Sequence, residues 1–287
     1  MKSRNPVLGK LTERASRHTG LRRSPVLQEQ SVGGAGYGPG YGGSSATQPY
    51  STSYAPYAPS NDQPMTVDDV VVRTVSLLSI TGLTAALAWL LLPDNGRMTG
   101  VALAGSVIVG LVLGLVISFK QITNPYLIGS YAVVEGVLVG VVSRWYASVY
   151  DNGIVLQAVV GTFGVFFAMA ALYKLKVLRA TPTFVKWVTG ALFGFIALAL
   201  LNLGLGLFGV NGGTGLGLRD GGPLAIAFSL FAIGLAAMTF IVDFHAVEQG
   251  VAMGLERRYS WYCAFGILVG LVWLYLEILR LLGYARK

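Results

Sequence analysis

Residues 99–119 read TGVALAGSVIVGLVLGLVISF, an apolar stretch with no charge from end to end. A run of 18 or more apolar residues reads as a transmembrane helix, because at about 1.5 Å per residue it crosses a hydrocarbon core of about 30 Å. Working outward from this stretch, six more segments of the same kind appear. Together the seven fall at 70–92, 99–119, 126–147, 154–173, 184–210, 223–250 and 260–282. Helix-breaking signals separate them: Pro93-Asp94-Asn95-Gly96, Asn124-Pro125, Asp151-Asn152-Gly153, Thr181-Pro182 and Gly221-Gly222-Pro223. The expected fold is an all-α membrane protein, with seven transmembrane helices in one bundle spanning 66–287.

Composition agrees. Of 287 residues, 54% are hydrophobic and 12% charged, against about 25% charged in soluble domains. The net charge of +8 resides in loops and in an N-terminal tail rather than along one face of a folded domain, which argues against nucleic-acid binding. Cys263 is the single cysteine, so neither an intramolecular disulfide nor a cysteine-based metal cage can form. Residues 1–65 form the expected tail, basic at first and then rich in Gly, Tyr, Ser and Pro. Such a segment buries too little apolar area to offset its ordering entropy and is expected to be disordered. It has no apolar core of a signal peptide, so the first span is expected to direct its own insertion.

Orientation follows from Lys and Arg in alternate loops. One side carries the tail, Lys120, Lys174, Lys176, Arg179, Arg257 and Arg258; the other carries Arg97 and Arg219. The first side, with the N-terminus, is expected to be cytoplasmic. Arg280, Arg286 and Lys287 run against this pattern. Glycine pairs four residues apart, Gly110/Gly114, Gly136/Gly140, Gly190/Gly194 and Gly266/Gly270, let helix backbones approach closely and are read as packing within the bundle.

Ionisable groups at membrane depth are costly and mark functional candidates. Glu135 in the third span, Asp243 in the sixth and Glu277 in the seventh qualify. Glu248 lies closer to a loop. Asp243 and Glu277 sit in apolar surroundings and are expected to approach each other, sharing a proton or holding a divalent cation; calcium prefers carboxylate oxygens. Arg73, Lys120, Arg144 and Arg280 are expected to snorkel to the interface, with one of them free to pair with an intramembrane acid. Glycine-rich residues 204–217 lack the Gly-Lys-Ser/Thr ending of a phosphate loop, and His245 is a weak metal ligand. With His18 and His245 the sole histidines and no Gly-x-Ser-x-Gly or His-Glu-x-x-His, the chain is expected not to be an enzyme and to hold no cofactor.

Asn124-Pro125-Tyr126-Leu127-Ile128 with Tyr131 to Gly136, Asp243-Phe244-His245-Ala246-Val247-Glu248, and Leu274-Tyr275-Leu276-Glu277-Ile278-Leu279 resemble, in that order, span signatures of the Bax inhibitor/YccA family. Residues 153–158 and 179–184 resemble its bacterial branch with long N-terminal tails. The resemblance covers about residues 65–283. It implies a central helix surrounded by the others, and a place in the bacterial cytoplasmic membrane. It further implies a pH-sensitive calcium leak with proton-sensing carboxylates on the last two helices. Links to cell-death control and to a membrane-bound protease make a regulatory or scaffolding protein the alternative. Glu277 stands where the family has an aspartate, and the interval from Asp243 to Glu277 is longer than the family's.

Overall fold

The structure, a computed structural model, describes residues 63–92, 96–151, 153–218 and 220–286. The expectation of a disordered tail over the first 62 residues lies outside these. The bundle comprises α1 (Val67–Leu91), α2 (Gly96–Lys120), α3 (Pro125–Val149), α4 (Gly153–Lys174), α5 (Pro182–Leu207), α6 (Pro223–Ala252) and α7 (Tyr259–Ala285). All seven are long and apolar enough to cross a membrane.

Their ends follow from local chemistry. Thr66 caps α1 in a reciprocal box with Asp69, which starts the helix three residues before the apolar run. Asn124 and Thr181 cap α3 and α5, each followed by Pro at the first helical position; a missing N–H costs nothing there. At its far end, α5 stops at Leu207, short of the expected 210. The following glycine-rich loop folds back so that Leu216 N–H donates to buried Asn202 Oδ1 at 2.8 Å. Gly215 permits this, with φ +66° and the Asn202 carbonyl oxygen 2.5 Å from where a Cβ would stand.

α7 is the central helix. It packs against α1, α3, α4 and α6, and 56% of its spanning window is buried. It runs unbroken from Tyr259 to Ala285. α2 lies outside α3, and α5 leans on α6 and the loop that follows α5, touching α7 through the Phe195–Trp273 ring contact at 5.2 Å. In hydrocarbon, helices associate through close packing and interhelical hydrogen bonds rather than through water exclusion. α1 and α3 show both: Gly136 and Gly140 press on the α1 backbone, and Thr81 Oγ1 donates to Ala132 O at 3.1 Å. Gly110 and Gly114 face α3, and Gly266 and Gly270 face α6. Gly190 and Gly194 depart from the expectation: nothing lies within 4 Å of where their Cβ atoms would be.

Residues 63–66 form a strap across the α6–α7 loop. Met65 N–H donates to Leu255 O at 2.7 Å, Arg257 N–H donates to Gln63 O at 2.9 Å, and Asp69 ion-pairs with Arg257 at 2.7 Å. Met65 is 1% exposed and fills a socket over Gly250 and Leu255. An apolar side chain next to a proline- and serine-rich tail carries no sequence signal for this. Met65→Ala is expected to lower stability by about 2–3 kcal/mol, the usual cost of emptying a core site. Deleting residues 1–60, which spares the strap, should leave thermal unfolding in detergent unchanged. A loss from the deletion as large as that from Met65→Ala would show that the tail itself packs on the bundle.

Candidate functional site

The three intramembrane acids are best placed by their level along α7. α6 and α7 form an antiparallel hairpin. Gly270 faces the Phe240 ring, whose edge is 2.9 Å from where a Cβ would stand, and Gly266 faces Asp243, with Oδ1 3.8 Å from the same virtual position. Asp243 therefore lies against the Cys263–Gly266 turn of the central helix. Around it, Phe166 of α4 meets Phe240 and Phe244 edge-on, at 5.2 and 5.6 Å between centroids. Among the described residues no hydrogen bond or ion pair reaches the Asp243 carboxyl. It is thus a formally charged group at membrane depth with apolar rings on one side and a glycine and a thiol on the other.

Glu135 reaches nearly the same level from the other side. α3 and α7 run side by side, with Tyr131 edge-on to Phe265 at 4.9 Å and Ser143 Oγ 2.6 Å from the Tyr275 hydroxyl. That register sets Glu135 beside Leu268. Its side chain is 8% exposed and turns toward α2, where Oε1 stands 3.1 Å from the Cβ position of Gly110. The Tyr131 phenol, one turn earlier, is its polar neighbour. A side chain larger than hydrogen at Gly110 would take the space the carboxyl occupies.

Glu277 does not join them. From Gly266 to Glu277 is about 16 Å along the helix, so the expected approach of Asp243 and Glu277 does not occur. Asp243 lies nine residues before the end of α6, whereas Glu277 lies eighteen after the start of α7. Across a short hairpin loop, arms of such unequal length place their residues at different depths. Glu277, 3% exposed, is instead held by Arg280 one turn on, whose Nη1 donates to Oε1 at 2.7 Å and Oε2 at 2.8 Å. Arg280, one of the four basic residues expected to snorkel, thus pairs with an intramembrane acid. It also borders a cavity of about 410 Å³ walled by Trp145, Tyr146, Tyr150 and Tyr284.

Other candidates have ordinary partners. Glu248 and His245 both face the Tyr173 hydroxyl, which donates to Glu248 and lies 3.5 Å from His245 Nδ1. Arg73 donates to Arg257 O at 2.7 Å and lies over the Trp261 ring. Among the described residues no group of three or more His, Cys, Asp or Glu is arranged to hold a metal. Two features went unread in the sequence. One is the Ser143–Tyr275 hydroxyl pair. The other is Ser229 on α6, fully buried, with no hydrogen-bond partner for its Oγ among the described residues. Serines and tyrosines inside apolar spans are common, and nothing in spacing alone selects these.

No curated protein matches the chain. A family model described as Bax inhibitor 1 like matches residues 5–287, nearly its whole length.

Proposed function

Because the chain belongs to the Bax inhibitor 1 like family, we propose that this multi-pass membrane protein is a proton-regulated cation leak, with calcium as the permeant ion and Asp243 as the titrating group. One observation carries this reading: the Asp243 carboxyl faces the central helix at membrane depth with no countercharge among the described residues. When protonated, it needs no partner, and α6 and α7 can close over it. When ionised, it demands water or a cation, because an isolated charge in low dielectric is costly. The two protonation states therefore favour different packings of one helix interface, the differential interaction a switch requires. Glu135, level with Asp243, supplies a second carboxylate on the opposite side of α7. Glu277, neutralised by Arg280, is assigned a structural role. Cys263 on α7 is a titratable neighbour of Asp243, and the Tyr173, His245 and Glu248 group lies toward the loop end of α6. Calcium flux into liposomes containing the purified protein tests the proposal directly.

A second reading, a scaffold whose tail binds a membrane protease or other membrane partner, is favoured by the strap. A partner gripping the chain ahead of Gln63 would pull on the α6–α7 loop through Met65 and Arg257. Neither reading assigns the chain catalytic chemistry or a cofactor.

The proposed orientation places the N-terminus in the cytoplasm of a bacterial cell. The contrary cations near the C-terminus are offset by acids, Arg280 by Glu277 and Arg286 by Asp151. In a Cys263→Ser background, cysteines introduced at Ser45 and Lys176 should resist membrane-impermeant thiol reagents in intact cells, and one at Thr214 should label. Labelling at Lys176 with protection at Thr214 would reverse the orientation.

A further inference from the structure

A cavity of about 530 Å³ opens sideways between α1 and α4, with α3 and α7 as its back wall. It extends along α1 from Leu78 to Leu90, about 18 Å at 1.5 Å per residue. Half of a hydrocarbon core of about 30 Å is close to that length. One end therefore lies near the middle of the membrane and the other near the end of α1, beside Trp89, an amphipathic ring of the kind that gathers at the membrane interface.

Small residues keep the cavity open. Its α1 side is Gly82, Ala85 and Ala86, and nothing lies within 4 Å of a Cβ built at Gly82. α1 cannot turn to close the gap, because Gly140 of α3 grips it from behind, with the Ala85 carbonyl oxygen 2.4 Å from the Cβ position. The cavity opens onto the exposed apolar surface, since the lining residues Leu90 and Phe163 are themselves exposed.

The hydroxyls at the wall are already engaged. Thr81 donates to Ala132 O, Thr162 to Ala158 O at 2.7 Å, and Ser143 and Tyr275 bond to each other. A cavity without unsatisfied polar groups does not hold water, and an empty one forfeits dispersion contacts along its whole lining. Hydrocarbon is the one occupant that satisfies both conditions. We propose that this cavity is a binding site for one acyl chain of a bilayer phospholipid, drawn from the leaflet on the side where α1 ends. The proposal does not depend on the leak function.

The test is photolabelling in vesicles of phosphatidylglycerol and phosphatidylethanolamine, doped with a phospholipid bearing a diazirine in its acyl chain. Adducts on Val159 and Phe163, mapped by mass spectrometry, should exceed those on Val112 of the open α2 face at least threefold. In the double variant Gly82→Leu/Ala86→Leu, which fills the cavity from α1, the excess should vanish while labelling of Val112 stays the same. Gly82→Leu alone, placed in open space, should reduce the excess if the double variant does not fold. Equal labelling of the two faces in the wild-type protein would overturn the proposal. So would an excess that persists in a folded, filled variant. Labelling of the cavity by a diazirine fatty acid but not by the phospholipid would also reject it, since the chain would then come from a free amphiphile.

Discussion

Asp243→Asn is expected to abolish most of the pH dependence of calcium flux in reconstituted liposomes and to hold the flux at its low-pH level. The substitution keeps the shape of the side chain and fixes it in the neutral form, the state in which α6 and α7 close against each other. In the wild-type protein, flux should rise with pH as the carboxylate forms, by up to about tenfold per pH unit on the steep limb, where the ionised fraction changes at that rate. Glu135→Gln should lower the flux without flattening the profile, because Glu135 has Tyr131 for company and faces α2 rather than the α6–α7 seam. Glu277→Gln should leave the profile intact and lower stability, since it strands the Arg280 guanidinium beside a neutral amide. Glu248→Gln, at an exposed position, should change least. Wild-type flux and pH profile in Asp243→Asn would remove the titrating group from the proposal. Absence of flux above protein-free liposomes in every variant, the wild type included, would leave the scaffold as the standing reading.

The contrast between Asp243 and Glu277 also shows what could be read from the sequence. The seven spans were legible because the bilayer fixes their length, and Pro, Asn, Thr and Gly at their ends carry capping chemistry that is local in the chain. The family resemblance implied one central helix among the others, but which of the seven it is came from the packing of α7 against α1, α3, α4 and α6. That Asp243 and Glu277 stand at costly positions was legible too, since a carboxylate among Phe, Leu and Trp is conspicuous. Their partnership was not legible, because facing residues across a hairpin depend on where the turn falls. Extending α6 to Ala252 does not bring the pair together; the turn at 253–258 sets Asp243 opposite Gly266. Arg280, three residues from Glu277, was within reach of a sequence reading, because side chains at that spacing share a helix face. The strap was out of reach. It depends on a contact between residues 63–66 and a loop at the far end of the sequence, made by an apolar side chain that has no periodic pattern around it.

The glycine pairs make the same point through stability. Gly136→Ala and Gly140→Ala are each expected to destabilise the bundle severely, by about 3 kcal/mol or more, the upper range for overpacking a rigid core. A Cβ at Gly136 would stand 1.7 Å from Thr84 Oγ1 and 2.6 Å from the Thr81 carbonyl oxygen, and one at Gly140 would stand 2.4 Å from the Ala85 carbonyl oxygen. Thr84 can rotate, but the carbonyl oxygens belong to α1 itself. Relief requires moving α1 away from α3, and that movement also breaks the Thr81–Ala132 hydrogen bond. Gly190→Ala and Gly194→Ala, with the same four-residue spacing on α5, should be neutral or slightly stabilising. Nothing lies within 4 Å of either Cβ position, and alanine is favoured over glycine in a helix by up to about 1 kcal/mol. Thermal unfolding of the four variants in one detergent decides the matter. Equal losses at all four positions would show that α5 packs closely on a neighbour through Gly190 and Gly194, and equal tolerance would show that α1 and α3 are not held at backbone contact. Sequence spacing alone gives the two pairs the same meaning. The carbonyl oxygens of α1 separate them, because a glycine stripe is indispensable only where another backbone occupies the space a side chain would need.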